Sequence, residues 1–219
     1  MRDQFLELYQ RHHSAFKSVL EQHPGEDMAG PHLISPNALY EKQPHRLLII
    51  GQETGGWSYH VEDLERQMKE YEMFNLGEHY YPSPFWNITR KVERILGNEP
   101  YSCAWANVSK FDHNNGRASG KVEASIASLD WLLREEIAIL KPAVCLFYTG
   151  PAFDHRVRGI FPGVEYEEVA GQASRQMARL RHPNLPHHSY RSYHPNYLRQ
   201  QGHEQRFLNT IQEVVTNGG

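Results

Sequence analysis

The sequence predicts an α/β fold, a three-layer α/β/α sandwich in which helices cover both faces of a central four-stranded, mainly parallel sheet. Short, almost wholly apolar runs, typical of strands buried on both faces, alternate with longer amphipathic stretches typical of helices. With 219 residues, 39% of them hydrophobic, the chain has enough apolar surface for one core. We therefore expect a single domain over residues 1–219.

The first half of the chain contains three predicted helices and one strand. Apolar residues recur at helical spacing over residues 3–22, and Pro24-Gly25 ends that helix. The apolar run at residues 45–50 predicts the first strand, and the polar stretch at residues 61–71 a second helix. Ser83-Pro84 has the pattern of an N-cap followed by proline, which predicts a third helix ending at Gly97.

The second half continues the alternation. Two apolar runs predict strands, a long amphipathic stretch predicts the helix between them, and two weaker runs are further strand candidates before a final helix. In order, these segments are the strand 101–108, the helix 122–140 closed by Pro142, the strand 143–148, the weaker strands 177–180 and 189–193, and the helix 204–215.

Composition limits the class of protein. No apolar run approaches the roughly 20 residues that span a bilayer, and no signal segment opens the chain, so we expect a cytoplasmic protein without membrane contact. Cys103 and Cys145 lie in apolar runs, where reduced core residues are expected, and two cysteines exclude a four-cysteine metal site.

The net charge is −3, yet residues 171–206 hold six arginines, five histidines and a single acid. Such a basic run is a solvated surface or a contact for phosphates.

Two motifs carry candidate chemistry. Residues 51–57, Gly-Gln-Glu-Thr-Gly-Gly-Trp, place Glu53 where the first strand ends, and residues 192–198, Ser-Tyr-His-Pro-Asn-Tyr-Leu, place His194 after a later strand. Asn107 follows the second strand, and Phe85 lies at the start of the helix after Ser83. Because parallel strands end at one edge of a sheet, an acid, an amide, an aromatic ring and a histidine are expected in one cleft.

Each of these residues also has a purely structural interpretation. Glu53 could cap a turn, Asn107 could end a strand, Phe85 could be a core residue, and His194 could be one of 14 solvated or structural histidines. A metal site is a further alternative, although no His-Glu-x-x-His spacing supports it; its ligands would be His182, His187, His188 and His194 with Glu53 or Asp112. A serine hydrolase is disfavoured, since no Gly-x-Ser-x-Gly motif is present.

The order of these motifs resembles the uracil-DNA glycosylase superfamily. Gly51-Gln52-Glu53-Thr54-Gly55 is similar to the first motif of that family, and residues 82–88 resemble its Pro-Ser-aromatic-Asn helix entry. Asn107 is similar to the family's asparagine after the second strand, residues 147–150 to its strand ending in glycine, and residues 194–198 to its His-Pro-Ser-Pro-Leu motif.

The resemblance implies a monomeric DNA glycosylase without cofactor or metal, acting on uracil or another deaminated base in DNA. It implies that Glu53 holds the attacking water and that His194 donates a hydrogen bond to the departing base. Asn107 would read the edge of an extruded base, Phe85 would stack on it, and Tyr197 or Leu198 would fill the gap in the duplex. The implied substrate-binding residues are Gly51, Gln52, Gly55, Phe85, Asn107, Asn196, Tyr197 and Leu198.

The chain departs from the family pattern at three positions, and two of them, Glu53 and Gly55, leave a second function open. Glu53 is one methylene longer than the usual Asp or Asn, and Gly55 stands where the uracil-specific branch has a tyrosine that excludes thymine. Tyr197 replaces the second proline of the histidine motif. The alternative is a noncatalytic member that binds a nucleobase, nucleotide or nucleic acid without cleaving it.

Overall fold

The computed structural model describes residues 1–169 and 171–216, and within them it is an α/β structure with one mixed six-stranded sheet. The strands are β1 (Leu47–Gly51), β2 (Ala104–Asn107), β3 (Val144–Phe147), β4 (Glu165–Glu168), β5 (Met177–Arg181) and β6 (His188–Ser192). The helices are α1 (Arg2–Arg11), α2 (His13–Glu21), α3 (Leu64–Phe74), α4 (Pro84–Ile95), α5 (Gly120–Ala127), α6 (Leu132–Leu140), α7 (Asp154–Ile160), α8 (Pro195–Gln200) and α9 (Glu204–Ile211).

The strand order β2-β1-β3-β6-β5-β4 places the first strand inside the sheet. β1 pairs in parallel with β2 on one side and with β3 on the other, and β6 continues the parallel arrangement beside β3. The next two strands along the chain, β2 and β3, therefore lie on opposite sides of β1. This makes the carboxyl end of β1 a topological switch point, the place where α/β folds bind ligands. Residues 47–50 of β1 are fully buried, as their apolar run predicts.

The prediction of four strands is wrong, because the antiparallel strands β5 and β4 extend the sheet beyond β6. β4 escapes a search for apolar runs because its sequence is Glu-Tyr-Glu-Glu and it is largely exposed. Its pairing with β5 sets acids opposite arginines, and Arg181 Nε lies 2.8 Å from Glu167 Oε2. Opposite charges across strands stabilise such an edge without apolar burial.

Two predicted helices are each divided in the structure. The helix predicted over residues 3–22 breaks at His12, whose φ of −114° and ψ of 13° are not helical, and the helix predicted over 122–140 breaks between α5 and α6. The Ser83 cap is confirmed: its hydroxyl accepts from the backbone N–H of Trp86, and Pro84 opens α4.

A buried guanidinium joins β6 to the antiparallel extension. Arg191, 2% exposed, donates to both carboxylate oxygens of Asp154 at the start of α7 and to the carbonyl oxygens of Ser174 and Arg175, just before β5. The end of β6 is thereby fastened to two other segments, three residues before His194.

Candidate active site

One pocket of about 440 Å³ lies at the carboxyl end of β1. Gly51 at the end of β1 is paired with Asn107 at the end of β2, so the residues that follow both strands meet there. His194 follows β6, which is separated from β1 in the sheet by β3. Eight of the ten residues selected from the sequence line the pocket: Gly51, Gln52, Glu53, Gly55, Phe85, Asn107, His194 and Asn196.

Glu53 is presented by a turn that the segment after β2 holds in place. Asp112 Oδ2 accepts hydrogen bonds from Thr54 Oγ1 at 2.6 Å and from the backbone N–H of Gly56 at 3.0 Å. Gly56 has φ +88°, a conformation that favours glycine. Gln52 Nε2 donates to the carbonyl of Thr149 at 2.7 Å, which ties the turn to the end of β3.

The Glu53 carboxyl is poised to gain or lose a proton near neutral pH. Burial raises its pKa from 4.5 to about 7, and the charges of Arg117 and Arg156 oppose that rise. Oε2 is buried and accepts no hydrogen bond from any residue that the structure describes. An acid in this state fits a general base, because such bases work best with a pKa near the operating pH.

His194 is held as a neutral hydrogen-bond donor. Burial lowers the pKa of its imidazole to about 4, so the ring carries no charge at neutral pH. His194 is the N-cap of α8, and its Nδ1 accepts the backbone N–H of Asn196 at 3.2 Å. A neutral imidazole that accepts at Nδ1 has its proton on Nε2, which is left for a ligand. The ring centre lies 5.8 Å from that of Phe85.

Asn107 contributes a buried amide to the same pocket. Its side chain is fully buried, and its Oδ1 accepts the indole N–H of Trp105 at 3.1 Å. Nδ2 donates to no partner among the described residues. A β-carbon on Gly51 would lie 2.3 Å from this Oδ1, so the close approach of the amide to β1 requires glycine there.

An aromatic wall completes the pocket, and the sequence revealed only part of it. Of these rings the sequence analysis selects Phe85 alone. The other aromatic residues that line the pocket are Trp57, Phe74, Tyr80, Tyr81, Trp86 and Trp105. Tyr80 and Tyr81 are 52% and 63% exposed at its rim. The consecutive exposed tyrosines before Pro82 were the available signal for this rim.

Tyr197 and Leu198, the other two residues selected from the sequence, do not line the pocket, and neither does Lys110, which follows Asn107 after β2. Leu198 is 3% exposed and belongs to the hydrophobic core, so its expected insertion into a duplex does not fit its position. Tyr197 is 42% exposed and packs on Tyr193 with ring centres 4.5 Å apart. Lys110 is fully buried and paired with Glu136.

The basic run does not surround His194 as a single surface. Arg191 is buried against Asp154, and Arg199 is paired with Glu204 at 2.9 Å. Arg179 and Arg181 lie toward the end of β5, which runs antiparallel to β6 and so carries them away from the pocket. Arg175 and Arg206 remain exposed.

Within residues 1–169 and 171–216, no group of three or more His, Cys, Asp or Glu side chains could hold a metal, so the alternative metal site gains no support.

Comparison with known proteins adds no relative: no protein-family model and no curated sequence matches the chain. Over the described part of the chain, no helix combines the length and apolar character needed to cross a bilayer.

Proposed function

We propose that this protein is a DNA glycosylase, a divergent member of the uracil-DNA glycosylase superfamily with its three-layer sandwich, that removes uracil or another deaminated base from DNA. One observation supports the proposal above the rest: an acid titrating near pH 7, a neutral imidazole with a free Nε2–H and a buried amide converge on one aromatic-walled pocket. A volume of about 440 Å³ is in the range of small-ligand sites.

Each residue has a role in cleaving an N-glycosidic bond. With uracil as the substrate, the departing base gains negative charge on its O2 while the sugar becomes oxocarbenium-like. His194 donates from Nε2 to that oxygen, an interaction of the kind that contributes about 10²- to 10³-fold in rate. Ionised Glu53 orients the attacking water, takes its proton and offsets the charge on the sugar. The extruded base lies against Phe85 with Asn107 at its edge.

The pocket needs no metal or organic cofactor for these steps. The proposed partner is DNA, bound by a monomer whose exposed Arg175 and Arg206 contact phosphates. Tyr80 and Tyr81, exposed at the rim, stack on the nucleotides next to the extruded one. The surface Tyr197 is the residue available to enter the gap in the duplex, since Leu198 is in the core.

A second function is binding of a nucleobase or nucleotide without cleavage. The observation that favours it is the raised pKa of Glu53, because about half of the molecules carry an uncharged acid at pH 7 and lack the base. The binding protein would use Asn107 and His194 for affinity alone.

The deciding experiment measures base release at pH 8, where Glu53 is ionised. Single- and double-stranded oligonucleotides with one uracil, hypoxanthine or xanthine are incubated with the protein, and abasic sites are then cleaved with alkali. We expect strand cleavage at the modified base, none in the unmodified oligonucleotide, and a large loss with His194→Asn. A protein that binds these oligonucleotides and releases no base would contradict the glycosylase and favour the binding protein.

A further inference from the structure

The charged groups of the pocket favour a cation over an anion. Among the described residues that line the pocket, Glu53 is the one acid, and there is no arginine or lysine. The His194 imidazole carries no positive charge at neutral pH, because burial lowers its pKa to about 4. Asp112, which holds the turn of Glu53, has no cationic partner in the described chain. A ligand in this pocket therefore touches one ionisable acid and no cationic side chain.

The two cations that act on Glu53 are already paired with other acids. Arg117 Nη2 lies 3.1 Å from Glu123 Oε1. Arg156 donates from Nε and Nη2 to the two carboxylate oxygens of Asp130. Each guanidinium is thus matched by its own carboxylate, so the charge of ionised Glu53 is left for a ligand.

The rings of the pocket form a corner and not a flat wall. Trp57 lies 5.6 Å from Trp105 between ring centres, with an angle of 84° between the ring planes. Phe85 lies 6.2 Å from Trp105 at 64°, and Phe74 lies 5.7 Å from Trp57 at 80°. A ligand beside such rings meets aromatic groups from more than one direction. The faces of these rings carry partial negative charge and attract cations, those of tryptophan most strongly.

Most of these rings are not used by the cations of the protein itself. Arg90 lies over Trp86, 5.8 Å from the ring centre. In the part of the chain that the structure describes, no other arginine or lysine lies over a ring that lines the pocket. Aromatic rings placed together around a binding site are an arrangement by which proteins recognise cations.

We propose that the pocket binds positively charged bases, namely purines alkylated at a ring nitrogen, and that such bases in DNA are a second class of substrate besides the deaminated ones. Alkylation of a ring nitrogen gives a purine a positive charge that is spread over a flat ring. Both the aromatic corner and the carboxylate attract that charge. The inference rests on the proposed function, whose pocket and reaction it keeps.

A planar base fits this pocket better than a small alkylammonium group. The volume of about 440 Å³ is in the range of small-ligand sites. His194 offers an Nε2–H donor, which requires an acceptor on the ligand. Purines have acceptor atoms at their ring nitrogens, and guanine has a carbonyl oxygen as well, whereas a trimethylated amine has no acceptor.

Release of a charged base is the same hydrolysis with a different charge balance. The oxygen of the attacking water bonds to C1′ of the sugar, and the bond between C1′ and the purine nitrogen breaks. The electron pair of that bond passes to the base and neutralises its positive charge, and one proton of the water passes to Glu53. The base leaves as a neutral molecule, so no negative charge develops on it.

Binding of two isomeric nucleosides tests the preference for charge without requiring catalysis. 1-Methyladenosine is a cation at neutral pH, and N6-methyladenosine carries the same methyl group on the exocyclic nitrogen and is neutral. Both are titrated at pH 7.5 into the parent protein, Glu53→Gln, Trp57→Leu and the control Glu135→Gln on α6, and dissociation constants are measured by calorimetry. We expect the parent and the control to prefer the cation by about 10- to 100-fold, and Glu53→Gln and Trp57→Leu each to reduce that preference about 3- to 30-fold.

The pH dependence of the parent protein keeps the test independent of how well the variants fold. Burial raises the pKa of Glu53 to about 7, so affinity for 1-methyladenosine should rise up to about tenfold between pH 6 and pH 8, while affinity for N6-methyladenosine stays level. His194, with its pKa of about 4, stays neutral in this range. The charged groups that act on Glu53 are Arg117, Arg156, Asp112 and Glu123.

Four results would overturn the inference. They are equal affinity for the two nucleosides, no binding of either, an affinity for the cation that does not change between pH 6 and pH 8, and tighter binding of a peptide with a trimethylated lysine. The last result would assign the pocket to a protein side chain instead of a base.

Base release separates this inference from the proposed function. DNA methylated with dimethyl sulfate and DNA with uracil are incubated with and without the protein, and released bases are measured by mass spectrometry. We expect the protein to release methylated purines faster than they are lost spontaneously. Release of uracil alone would overturn the inference and leave the proposed glycosylase standing, whereas release of methylated purines alone would remove the deaminated substrates and keep the inference.

Discussion

Two glutamates, the fully buried Glu136 of α6 and the half-buried Glu53 of the pocket, differ in what surrounds them. Glu136 is fully buried and has a partner at each oxygen: Lys110 Nζ at 2.6 Å from Oε2 and the Tyr9 hydroxyl at 3.0 Å from Oε1. Glu53 is less deeply buried, yet its Oε2 accepts no bond within the described chain. Burial raises the pKa of both carboxyls, and Lys110 opposes the rise at Glu136.

The comparison teaches that burial alone does not identify a functional acid. Around Glu136, charge and hydrogen bonds are satisfied within the protein, so the group holds α6 to the segment after β2 and to α1. Around Glu53 one carboxylate oxygen has no partner within the described residues, and the proposed function assigns that place to the attacking water. The same substitution at the two positions should therefore have opposite effects on stability.

The largest expected effect is on stability at Glu136. Glu136→Gln leaves the buried Lys110 ammonium without a counter-charge, and we expect a loss of about 3–5 kcal/mol in the free energy of unfolding. Urea denaturation at pH 7 measures the loss, with Glu135→Gln on the same helix as control. A change of Glu136→Gln no larger than that of the control would show that the pair is not structural.

The next largest effect is on turnover at His194. His194→Asn preserves an oxygen that accepts the Asn196 N–H and removes the Nε2 donor, so the cap of α8 is kept while the ligand contact is lost. We expect kcat to fall about 10²- to 10³-fold, or about 3–4 kcal/mol, with oligonucleotide affinity little changed. His187→Ala, a substitution of an exposed histidine near β6, is the control. An affinity loss with unchanged kcat would favour the binding protein.

Glu53→Gln should stabilise the protein, and only at high pH. The folded-state pKa of about 7 lies above the ordinary 4.5, so the cost of ionising Glu53 in the fold appears as pH rises from about 4.5 to about 7. Gln has no such cost. We expect a gain of about 1–3 kcal/mol at pH 8 and none at pH 4, measured by urea denaturation at both values. A loss of stability at pH 8 would place Glu53 with Glu136 as a structural acid.

The smallest effect concerns the pH profile. Since ionised Glu53 is the proposed base and His194 stays neutral above pH 5, kcat/KM should rise through a midpoint near pH 7 and then stay level. Arg117 lowers the pKa of Glu53, so Arg117→Gln should move the midpoint upward by less than about one unit. Arg134→Gln, on α6, is the control. A midpoint near pH 4.5, or one that Arg117→Gln leaves in place, would contradict this account.

The parts of the fold and of the site that could be predicted are those with a recognisable local pattern in the sequence. The strand β1 is read from four consecutive buried apolar residues, and Glu53, Asn107 and His194 are read from following strand ends. β4 has no such apolar pattern, because charge pairing with β5 stabilises it in place of apolar burial.

Other features depend on three-dimensional neighbours that the sequence does not specify. Trp105 looks like any core residue until its indole is found 3.1 Å from Asn107. Arg179 and Arg181 are near His194 along the chain, but the antiparallel direction of β5 carries them away from the pocket. Leu198 follows the histidine motif, yet α8 turns its side chain into the core.

The Arg191 contacts link the antiparallel strands β4 and β5 to the pocket, although neither strand contributes a residue to its lining. Because one guanidinium donates to Asp154 and to the carbonyls of Ser174 and Arg175, we expect changes in the loop before β5 to shift the backbone that carries His194. Variation in that loop would thus alter the reach of the imidazole toward a ligand without altering any residue that touches the ligand. One buried side chain thus links the outer, antiparallel part of the sheet to the segment that carries His194.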